Sequence, residues 1–431
     1  MEKILRAVEK IIPKKVYRFG QPIYHYSLAL LSACAYRFPS RKIKVIGVTG
    51  TKGKSSTTEI INAILEEAGH TTAVSNTIRF KVGKESKNNK YKMSMPGRFF
   101  VQHFLRRAVA AGCEYAIVEM TSQSVLQSRH KFIYPDAFVL TNVSPEHIES
   151  HGSYENYVAA KVTLVQSLTS SKKKNRTLVV NTDDKEVGRF LGAVGIDIDK
   201  KTYSLKDAAP HTIKKEGLSF TFRGAAITSP LSGLFNLYNI LAAATLTESL
   251  GVHVDVIKRA VEKFSGIPGR VEKIDEGQDF TVVVDYAHTV DSLQKVYEVF
   301  QTSRKICVLG GTGGGRDRWK RKEMGKIANQ YCDHIILTNE DPYDENPMQI
   351  INDVAEGIVG DGQNDERGKE KLTIVIDRRE AIARAFTHAH TGDTVLITGK
   401  GTDPYIMGAQ GHNTPWSDAT VAREELRKLK K

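Results

Sequence analysis

The sequence predicts an α/β protein made of two successive parts, each built around a mostly parallel sheet. From residue 42 onward, short β-branched runs alternate with helix-length segments, which is the pattern of βαβ units. A cluster of Gly and Pro at 264–270 interrupts this alternation, and a second series of strands and helices follows it. A chain of 431 residues is also longer than one ordinary domain, so two or three domains are expected.

The elements of both series can be read in order from the sequence. The first series has a strand at 44–50, a helix at 55–69, strands at 115–120, 137–143 and 177–184, a strand-rich section at 201–231 and a closing helix at 235–251. The second series has β-branched runs at 280–288, 305–311, 334–341, 372–386 and 393–401. In such units ligands bind at the carboxyl ends of the strands, so functional residues are expected in the loops that follow them.

The domain organisation follows from these patterns. We expect a short helical segment at 1–40, a central domain at 41–267 and a Rossmann-like C-terminal α/β domain at 268–431. The apolar run at 26–36 is shorter than the roughly 20 residues that span a bilayer. It is therefore interpreted as a helix packed on the protein, and membrane association is not expected.

Charge and cysteine content narrow the class of protein. The 62 Lys and Arg against 49 Asp and Glu give a net charge of +13, which suits a nucleic acid, a membrane surface or an anionic small substrate. Because no RNP-like segment, zinc knuckle or helix-turn-helix pattern accompanies this charge, no nucleic-acid partner is expected. Cys34, Cys113, Cys307 and Cys332 form no C-x-x-C pair, so neither a disulfide framework nor a zinc ribbon is predicted, and a reducing cytoplasm is expected.

The turn after the first strand has the composition of a phosphate-binding loop. Backbone N–H groups and the helix dipole favour an anion at such a turn, a lysine adds charge, and a serine hydroxyl suits Mg²⁺. Val48 stands where the first Gly of the P-loop pattern belongs. The predicted nucleotide-binding residues of this P-loop domain are Gly50, Thr51, Lys52, Gly53, Lys54, Ser55 and Ser56.

Other residues indicate how a nucleotide would be used. Glu119 ends a predicted strand, and a carboxylate there suits Mg²⁺ or Mn²⁺. His147 is a second candidate ligand, although a lone loop His is usually a surface residue. Lys161 follows on a predicted helix, where the residues alone would equally allow a surface lysine.

The order of the motifs resembles the Mur ligase family. T-G-T-x-G-K-S, V-E-x-[ST]-S, T-N-x-S-x-[DE]-H-x-x-x-H-G and Y-x-x-A-K occur in that order between residues 49 and 161. "GIPGRVE", "VDYAHTVDSL", "LGGTGGGRDRWKRKEMGKIA", "DRREAI" and "VLITGKG" continue the likeness over most of the chain. "VDYAHT", "RDRWKR", "NEDP" and "GKG" are most similar to the tripeptide synthetase branch, which attaches the third residue of the peptidoglycan stem.

The resemblance implies roles for individual residues. Lys54 and the loop would hold the ATP phosphates, Ser55 and Glu119 one Mg²⁺, and His147 a second Mg²⁺. Lys161 matches a lysine that is carbamylated in the family and then supports the metal site. Further implied nucleotide contacts are Asn239, Arg270, Asp285, His288, Asp377 and Arg378. Arg378 could otherwise be an ordinary surface charge.

The substrate side departs from the family pattern. Residues matched or proposed to contact the substrates are Ser122, Arg129, Arg316, Arg318, Asp341, Tyr343 and Asp403. "EDPY" stands in place of the D-N-P-R that grips diaminopimelate, so either a nearby arginine takes this role or another amino acid such as lysine is added. "SMPG" stands in place of the T-T-P segment that lies near the sugar-peptide substrate in the family. About 40 residues stand where the family usually has a domain that holds the uridine diphosphate, so segment 1–40 is interpreted as a reduced substrate-binding region.

The expected function is an ATP-dependent amide-bond ligase that adds the third amino acid to UDP-MurNAc-L-Ala-D-Glu through an acyl phosphate. The alternatives are a similar ligase for another γ-glutamyl or amino-acid acceptor, and a nucleotide-binding subunit of an amidotransferase complex. The expected partners are small-molecule substrates, the expected cofactors are ATP and Mg²⁺, and a cytoplasmic monomer is expected.

Overall fold

The computed structural model describes residues 14–146, 148–315, 318–360 and 366–429. Within these ranges the helices α1 to α15 are, in order, Lys14–Ala35, Lys54–Glu67, Arg98–Ala110, Ser122–Leu126, Ile148–His151, Tyr154–Gln166, Val187–Gly192, Leu234–Ser249, Val254–Lys263, Val290–Val299, Trp319–Tyr331, Pro347–Val359, Glu366–Lys371, Arg378–Thr387 and Asp418–Leu429. Residues 1–13 of the expected N-terminal segment lie outside the described residues, as do His147 and Arg316.

The strands β1 to β19 are, in order, Lys44–Thr49, Thr72–Ser75, Arg79–Val82, Glu85–Asn88, Tyr115–Glu119, Ala137–Leu140, Thr177–Asn181, Asp199–Tyr203, His211–Ile213, Leu218–Phe222, Ala225–Ser229, Glu272–Ile274, Thr281–Asp285, Lys305–Leu309, His334–Leu337, Leu372–Ile374, Thr394–Thr398, Tyr405–Met407 and Asn413–Pro415. Strands lie in the segments where the sequence patterns predict them. The structure adds β2 to β4 and α3 between residues 70 and 114, and β18 and β19 after residue 401, for which the sequence made no prediction.

Two large sheets carry the architecture of the described chain. The first has eight strands in the order β4-β3-β2-β5-β1-β6-β7-β8, with β3 and β4 antiparallel and the others parallel. The second has six, in the order β12-β13-β17-β14-β15-β16, with β12 antiparallel at its edge. Because β1 lies between β5 and β6 and is parallel to both, the loops that follow these three strands start at the same carboxyl-terminal edge of the sheet.

The chain divides into two compact units. The first comprises Met1–His211, Ser219–Ser229 and Phe235–Phe264, and the second comprises Thr212–Leu218, Pro230–Leu234 and Ser265–Lys431. The expected domain boundaries at 40/41 and 267/268 remain predictions.

Helix α1 packs one face on the first unit. Ala29, Ser32 and Ala33 are buried, whereas Ile23 and Leu31 remain 60% and 58% exposed. The run at 26–36 is thus a packed helix, as its length predicts. Within the described residues, no helix combines the length and apolar character needed to cross a membrane.

The expectation that the cysteines form no disulfide is wrong. Cys307 on β14 and Cys332 at the end of α11 are joined, with their Cα atoms 6.2 Å apart. A strand, a connecting loop and the returning helix separate the two residues by 25 positions and bring them together again. Spacing along the chain could not reveal this proximity, because it depends on how α11 packs beside β14.

Candidate active site

The turn between β1 and α2 is the predicted phosphate-binding loop. Gly53 caps α2 with φ of 80°, and no side chain caps the first turn of this helix. The dipole of α2 favours an anion at this end of the helix. The Lys54 Nζ donates hydrogen bonds to the carbonyl oxygens of Gly50 (3.1 Å) and Thr51 (2.8 Å), so its ammonium lies against the same loop.

The segment after β6 fixes the shape of this loop. The backbone N–H of Thr51 donates to the Asn142 carbonyl (2.8 Å), and that of Lys52 donates to Asn142 Oδ1 (3.0 Å). The Lys52 ammonium pairs with Glu146 at 2.6 Å, and the Thr51 and Tyr157 hydroxyls lie 2.9 Å apart. Sequence reasoning gave Asn142, Glu146 and Tyr157 no role, although the quoted motifs contain all three.

Position 53 requires glycine because of its positive φ and because Asn239 lies against it. A Cβ atom there would lie 2.2 Å from Asn239 Oδ1 on α8, at a φ that L residues rarely adopt. Asn239 is buried and also accepts a hydrogen bond from the Thr57 hydroxyl at 3.3 Å. The predicted nucleotide contact of Asn239 remains a prediction, but the structure places its amide directly against the loop.

We expect Gly53→Ala to destabilise the protein and to weaken ATP binding. The positive φ alone should cost about 1–2 kcal/mol, and the overlap with Asn239 should add to this because either the loop or α8 must move. Gly112→Ala is the matched control, since Gly112 has φ of 70° but no heavy atom within 4 Å of the added Cβ. Thermal unfolding and calorimetric ATP titration test this; equal losses for both variants would contradict it.

Ser55 and Glu119 meet at the carboxyl ends of two neighbouring strands, as the sequence predicts. Glu119 ends β5 and is 2% exposed. Its Oε2 accepts hydrogen bonds from the Ser55 hydroxyl (2.7 Å) and from both the N–H and the hydroxyl of Thr77 (each 3.2 Å). Thr77 was not predicted as a site residue, and its position after β2 carries no distinctive motif.

This carboxylate and hydroxyl suit a hard cation. Mg²⁺ takes oxygen ligands and is often held by one or two carboxylates together with substrate phosphates. Among the described residues no group of three His, Cys, Asp or Glu is placed to hold a metal. Glu119 and Ser55 are described residues that would hold Mg²⁺, and the predicted contribution of His147 lies outside the described residues.

Lys161 is buried directly beneath the loop. Ser153 caps the start of helix α6, where its side chain accepts a hydrogen bond from the Asn156 N–H, and the helix carries Tyr157 and Lys161 one turn apart. The Lys161 Nζ donates to the Gly50 carbonyl at 2.6 Å and lies 4.6 Å from the centre of the Tyr157 ring. Burial, and then the charge of Lys54, hold the pKa of Lys161 well below that of an ordinary lysine.

The imidazole of His151 lies beside Tyr157. His151 Nε2 is 3.1 Å from the hydroxyl of Ser122, and its ring packs edge-on against Tyr157 with 5.5 Å between the ring centres. Burial, and then the charge of Lys161, lower the pKa of His151. His151 lies in the same motif as His147, but the predicted metal ligand is His147. The substrate contact predicted for Ser122 remains a prediction.

Arg129 lies further along the same segment. Its Nη1 donates to the Met95 carbonyl at 2.6 Å, and its Nε donates to Gln127 Oε1 at 2.9 Å. These partners hold the guanidinium without neutralising it. Its predicted role as a substrate contact remains a prediction.

In the second unit, the predicted nucleotide residues before β12 and at the end of β13 form one local cluster. The carboxylate of Asp285 accepts the N–H groups of Val271 and Ala287, each at 2.7 Å. The Arg270 guanidinium lies 4.3 Å from the centre of the Tyr286 ring, and His288 Nδ1 donates to the Tyr286 carbonyl at 2.7 Å. Asp285 thus shapes the turn that presents Arg270 and His288.

Two predicted substrate carboxylates flank a buried lysine. Lys400 is fully buried, and its Nζ lies 2.7 Å from Asp341 Oδ1 and 3.4 Å from Asp403 Oδ2. Asp341 also accepts the Met407 N–H at 2.8 Å. Sequence reasoning did not assign Lys400, although the glycines around it mark the segment. The neighbouring Glu340 is buried, which raises the pKa of its carboxyl group.

Arg318, one of the two arginines proposed to take the role of the D-N-P-R arginine, is paired with Glu345. Arg318 pairs with Glu345 at 3.2 Å and is 66% exposed, while Arg316 lies outside the described residues. Tyr343 has φ of 52°, and its N–H donates to the Met407 carbonyl at 2.9 Å. The predicted substrate roles of Arg318 and Tyr343 remain predictions.

Arg378 is buried rather than exposed, so its alternative interpretation as a surface charge is wrong. It makes a bidentate pair with Asp418, at 2.8 and 2.7 Å, and donates to the Thr398 carbonyl at 2.8 Å. The neighbouring Asp377 caps α14 by accepting the Glu380 N–H at 2.8 Å. The ribose contacts predicted for both residues remain predictions.

We expect Asp418→Ala to lower the free energy of unfolding of the second unit by about 3–5 kcal/mol, because the variant leaves a buried guanidinium uncompensated. Urea denaturation measures this. Arg378→Met combined with Asp418→Leu should lose less than Asp418→Ala, since no charge then remains buried. Arg427→Met on the same helix is the control: its pair with Glu276 is exposed, so little change is expected. A loss no larger than that of the control would contradict the prediction.

Comparison with known protein families agrees with this geometry. Residues 48–247 match the family model of the Mur ligase middle domain, and residues 269–401 match that of the Mur ligase glutamate ligase domain. A UDP-N-acetylmuramyl-tripeptide synthetase of Roseiflexus sp. (strain RS-1) is 36% identical in an alignment of 428 positions that covers 95% of this chain and 83% of the relative. A UDP-N-acetylmuramoyl-L-alanyl-D-glutamate 2,6-diaminopimelate ligase of Syntrophomonas wolfei is also 36% identical, over 93% of this chain and 82% of the relative.

Solved structures show the same fold. A UDP-N-acetylmuramoyl-L-alanyl-D-glutamate 2,6-diaminopimelate ligase superposes with a TM-score of 0.62 at 27% identity, covering 90% of this chain and 79% of the other. A folylpolyglutamate synthase of Mycobacterium tuberculosis gives a TM-score of 0.68 at 14% identity, covering 93% and 94%, which is a likeness of fold alone. These neighbours confirm the predicted α/β fold class.

Proposed function

The chain belongs to the Mur ligase family and is an ATP-dependent ligase, and on this premise we propose that it adds the third amino acid to UDP-MurNAc-L-Ala-D-Glu. Relatives that are 36% identical bear the names of a tripeptide synthetase and of a diaminopimelate-adding ligase, which supports this step of peptidoglycan synthesis. The predictions that the protein is an enzyme and a Mur ligase are confirmed.

The observation that carries the proposal is the arrangement at the ends of β1 and β5. A cationic loop for phosphate and a buried carboxylate with a serine hydroxyl for Mg²⁺ lie side by side. When bound to Glu119 and Ser55, Mg²⁺ would supply Lewis-acid stabilisation of the phosphoryl oxygens. Lys54 would place a further positive charge against the transferred phosphoryl group, which is the demand of this chemistry.

The proposed reaction has two balanced steps. A carboxylate oxygen of the acceptor forms a bond to the γ-phosphorus of ATP while the bond between this phosphorus and the ADP oxygen breaks, which gives an acyl phosphate and ADP. The amine of the incoming amino acid then bonds to the acyl carbon, and the tetrahedral intermediate expels phosphate and gives up a proton. Lys54 and the loop N–H groups stabilise charge and fix position, rather than forming covalent intermediates.

We propose that Lys161 is carbamylated in the active enzyme. Burial, and then the charge of Lys54, lower the pKa of Lys161 and so favour its uncharged amine, which is the form that bonds to CO₂ with loss of a proton. The resulting carbamate carries a negative charge close to the loop. An unmodified ammonium would instead oppose the cations that the neighbouring Glu119 is suited to hold.

The identity of the amino acid depends on the cluster around Asp341. Tyr343 cannot make the bidentate pair with a carboxylate that an arginine makes. Asp341 and Asp403 both lie against Lys400, whose ammonium offsets part of their negative charge. A panel of candidate amino acids must therefore include lysine as well as diaminopimelate.

The experiment is a phosphate-release assay on the purified full-length protein. With ATP, Mg²⁺, UDP-MurNAc-L-Ala-D-Glu and each amino acid in turn, phosphate should appear only when the acceptor and the correct amino acid are both present, and mass spectrometry should show the amide product. Phosphate release that needs neither co-substrate would indicate an ATPase and would overturn the proposal. Product from a different γ-glutamyl acceptor alone would move the assignment to another Mur-like ligase.

We also propose that the enzyme acts as a cytoplasmic monomer, because its substrates are ATP and a nucleotide-linked peptide. Light scattering after size exclusion measures the oligomeric state, and fractionation of cells measures the location. The bond between Cys307 and Cys332 is unusual for a reducing compartment. Thiol titration of protein purified without exposure to oxidants determines its state in the cell.

A further inference from the structure

Helix α1 turns large apolar side chains away from the protein. Ile23, Leu30 and Leu31 are all exposed, whereas Ala29 and Ala33, on the face packed against the first unit, are buried. A helix that only packs on a protein surface shows the opposite pattern, with its larger apolar residues inward and polar residues outward. The outer face of α1 is therefore suited to an apolar partner.

The exposed apolar residues form one stripe along the helix. Ile23, Leu30 and Leu31 are spaced as i, i+7 and i+8, which places them on the same face. The rings of Tyr26 and Phe132 pack edge-on with 5.3 Å between their centres, so the helix is held against the first unit. The stripe is therefore presented in a fixed orientation, and exposed apolar groups that lie together in this way mark interaction surfaces.

Basic residues flank the apolar stripe along the chain, and these are Lys14, Lys15, Arg18, Arg37, Arg41 and Lys42. No Asp or Glu occurs between Glu9 and Glu59, so the segment itself contains no charge that offsets them. An apolar stripe with basic flanks is typical of helices that lie in the surface of an anionic membrane.

The charges that follow α1 are not neutralised by the fold. Arg37, Arg41 and Lys42 are exposed. The Arg41 guanidinium lies 4.3 Å from the centre of the Phe38 ring and donates to the Tyr134 hydroxyl at 3.4 Å, and both of these partners are neutral. Within the described ranges none of the three basic residues forms an ion pair with a carboxylate, so their charges can act on an anionic surface.

We propose that α1 docks on the surface of an anionic phospholipid bilayer, with Ile23, Leu30 and Leu31 entering the interface and the flanking basic residues lying near the lipid phosphates. Burial of the apolar stripe and attraction between the basic residues and the anionic lipids both favour this contact. A second copy of this chain suits the stripe less well, because it would bring two segments of like charge together. This role differs from the substrate binding predicted for segment 1–40.

The length of the apolar run does not argue against this contact. The run is too short to span a bilayer, and for that reason the sequence predicts no membrane association. A helix that lies in the plane of the interface has no such length requirement. The contact is reversible, because only a few apolar side chains and exposed charges make it, so it is compatible with a cytoplasmic enzyme.

Co-sedimentation of the full chain with lipid vesicles tests the proposal. The wild type should sediment with vesicles of phosphatidylcholine mixed with phosphatidylglycerol, and much less with vesicles of phosphatidylcholine alone, because only the mixture is anionic. Raising the salt concentration should weaken the binding, since salt screens exposed charges. The assay needs neither ATP nor the ligase substrates, so its outcome does not depend on the proposed function.

Charged variants separate the stripe from the rest of the surface. Leu31→Glu should reduce vesicle binding about tenfold or more, as expected when a leucine side chain no longer leaves water. Ile196→Glu is the matched control and should bind like the wild type, because Ile196 is fully exposed in the segment before β8. Both positions are exposed, so neither variant should change the midpoint of thermal unfolding.

The basic flank is tested in the same assay. Lys42→Glu should weaken binding to the anionic vesicles several-fold, since each basic residue near the surface contributes to the attraction. Lys206→Glu makes the same change of charge at an exposed position that follows β8 and should have a much smaller effect.

No sedimentation of the wild type with the anionic vesicles would overturn the proposal, and so would equal binding by Leu31→Glu and Ile196→Glu. Light scattering tests the competing occupant. A wild-type dimer that Leu31→Glu converts to a monomer, with no vesicle binding by either protein, would assign the stripe to a second copy of this chain and overturn membrane docking.

Discussion

Replacing Lys161 by methionine should lower kcat about a thousandfold, the scale expected when a preorganised charge is removed from an active site. The side chain is fully buried, and its amine contacts the Gly50 carbonyl. Methionine has similar length but offers no nitrogen for CO₂, so the variant cannot form the proposed carbamate. Folding should not suffer, because burying a lysine amine is costly and a thioether is better tolerated there.

Turnover and carbamate content should fall together in this variant. Protein equilibrated with ¹³C-bicarbonate should show a carbamate carbon by NMR in the wild type and none in Lys161→Met, and added bicarbonate should not restore activity to the variant. The exposed Lys172→Met is the control and should behave as the wild type. Full turnover by Lys161→Met would contradict the role of the lysine, and an active wild type without the carbon signal would contradict the carbamate alone.

Replacing Lys54 by methionine should also reduce kcat about a thousandfold, because a positive charge that offsets the transition-state phosphoryl oxygens contributes on this scale. Two effects combine in this variant. The ammonium no longer lies beside the phosphates, and the carbonyl oxygens of Gly50 and Thr51 lose the donor that holds the loop. We expect the KM for ATP to rise as well, since the same charge acts in the ground state.

Rapid-quench measurement of acyl-phosphate formation gives the chemical step directly. Lys54→Arg keeps the charge but not its position, so it should recover only part of the activity, and Lys172→Met again serves as the exposed control. If Lys54→Met formed the acyl phosphate at the wild-type rate, the loop would not be the site of phosphoryl transfer. The midpoint of thermal unfolding should be measured in parallel, so that a loss of fold is not taken for a loss of chemistry.

The sequence predicted the features that depend on local patterns. The alternation of strands and helices gave the α/β class, and the glycines at 50 and 53 with Lys54 marked the loop, because backbone conformation and helix capping are decided within a few residues. Glu119 could be predicted as a metal ligand because it ends a β-branched run. The order of the motifs was enough to identify the family.

The tertiary structure decided which residues meet. The position of β1 between β5 and β6 brings Ser55 to Glu119 and Lys52 to Asn142, and the packing of α6 places Tyr157 and Lys161 under the loop. The Arg378 pair with Asp418 and the bond between Cys307 and Cys332 likewise join separate elements. Such contacts depend on strand order and helix packing over long sequence separations, for which a short window of sequence contains no signal.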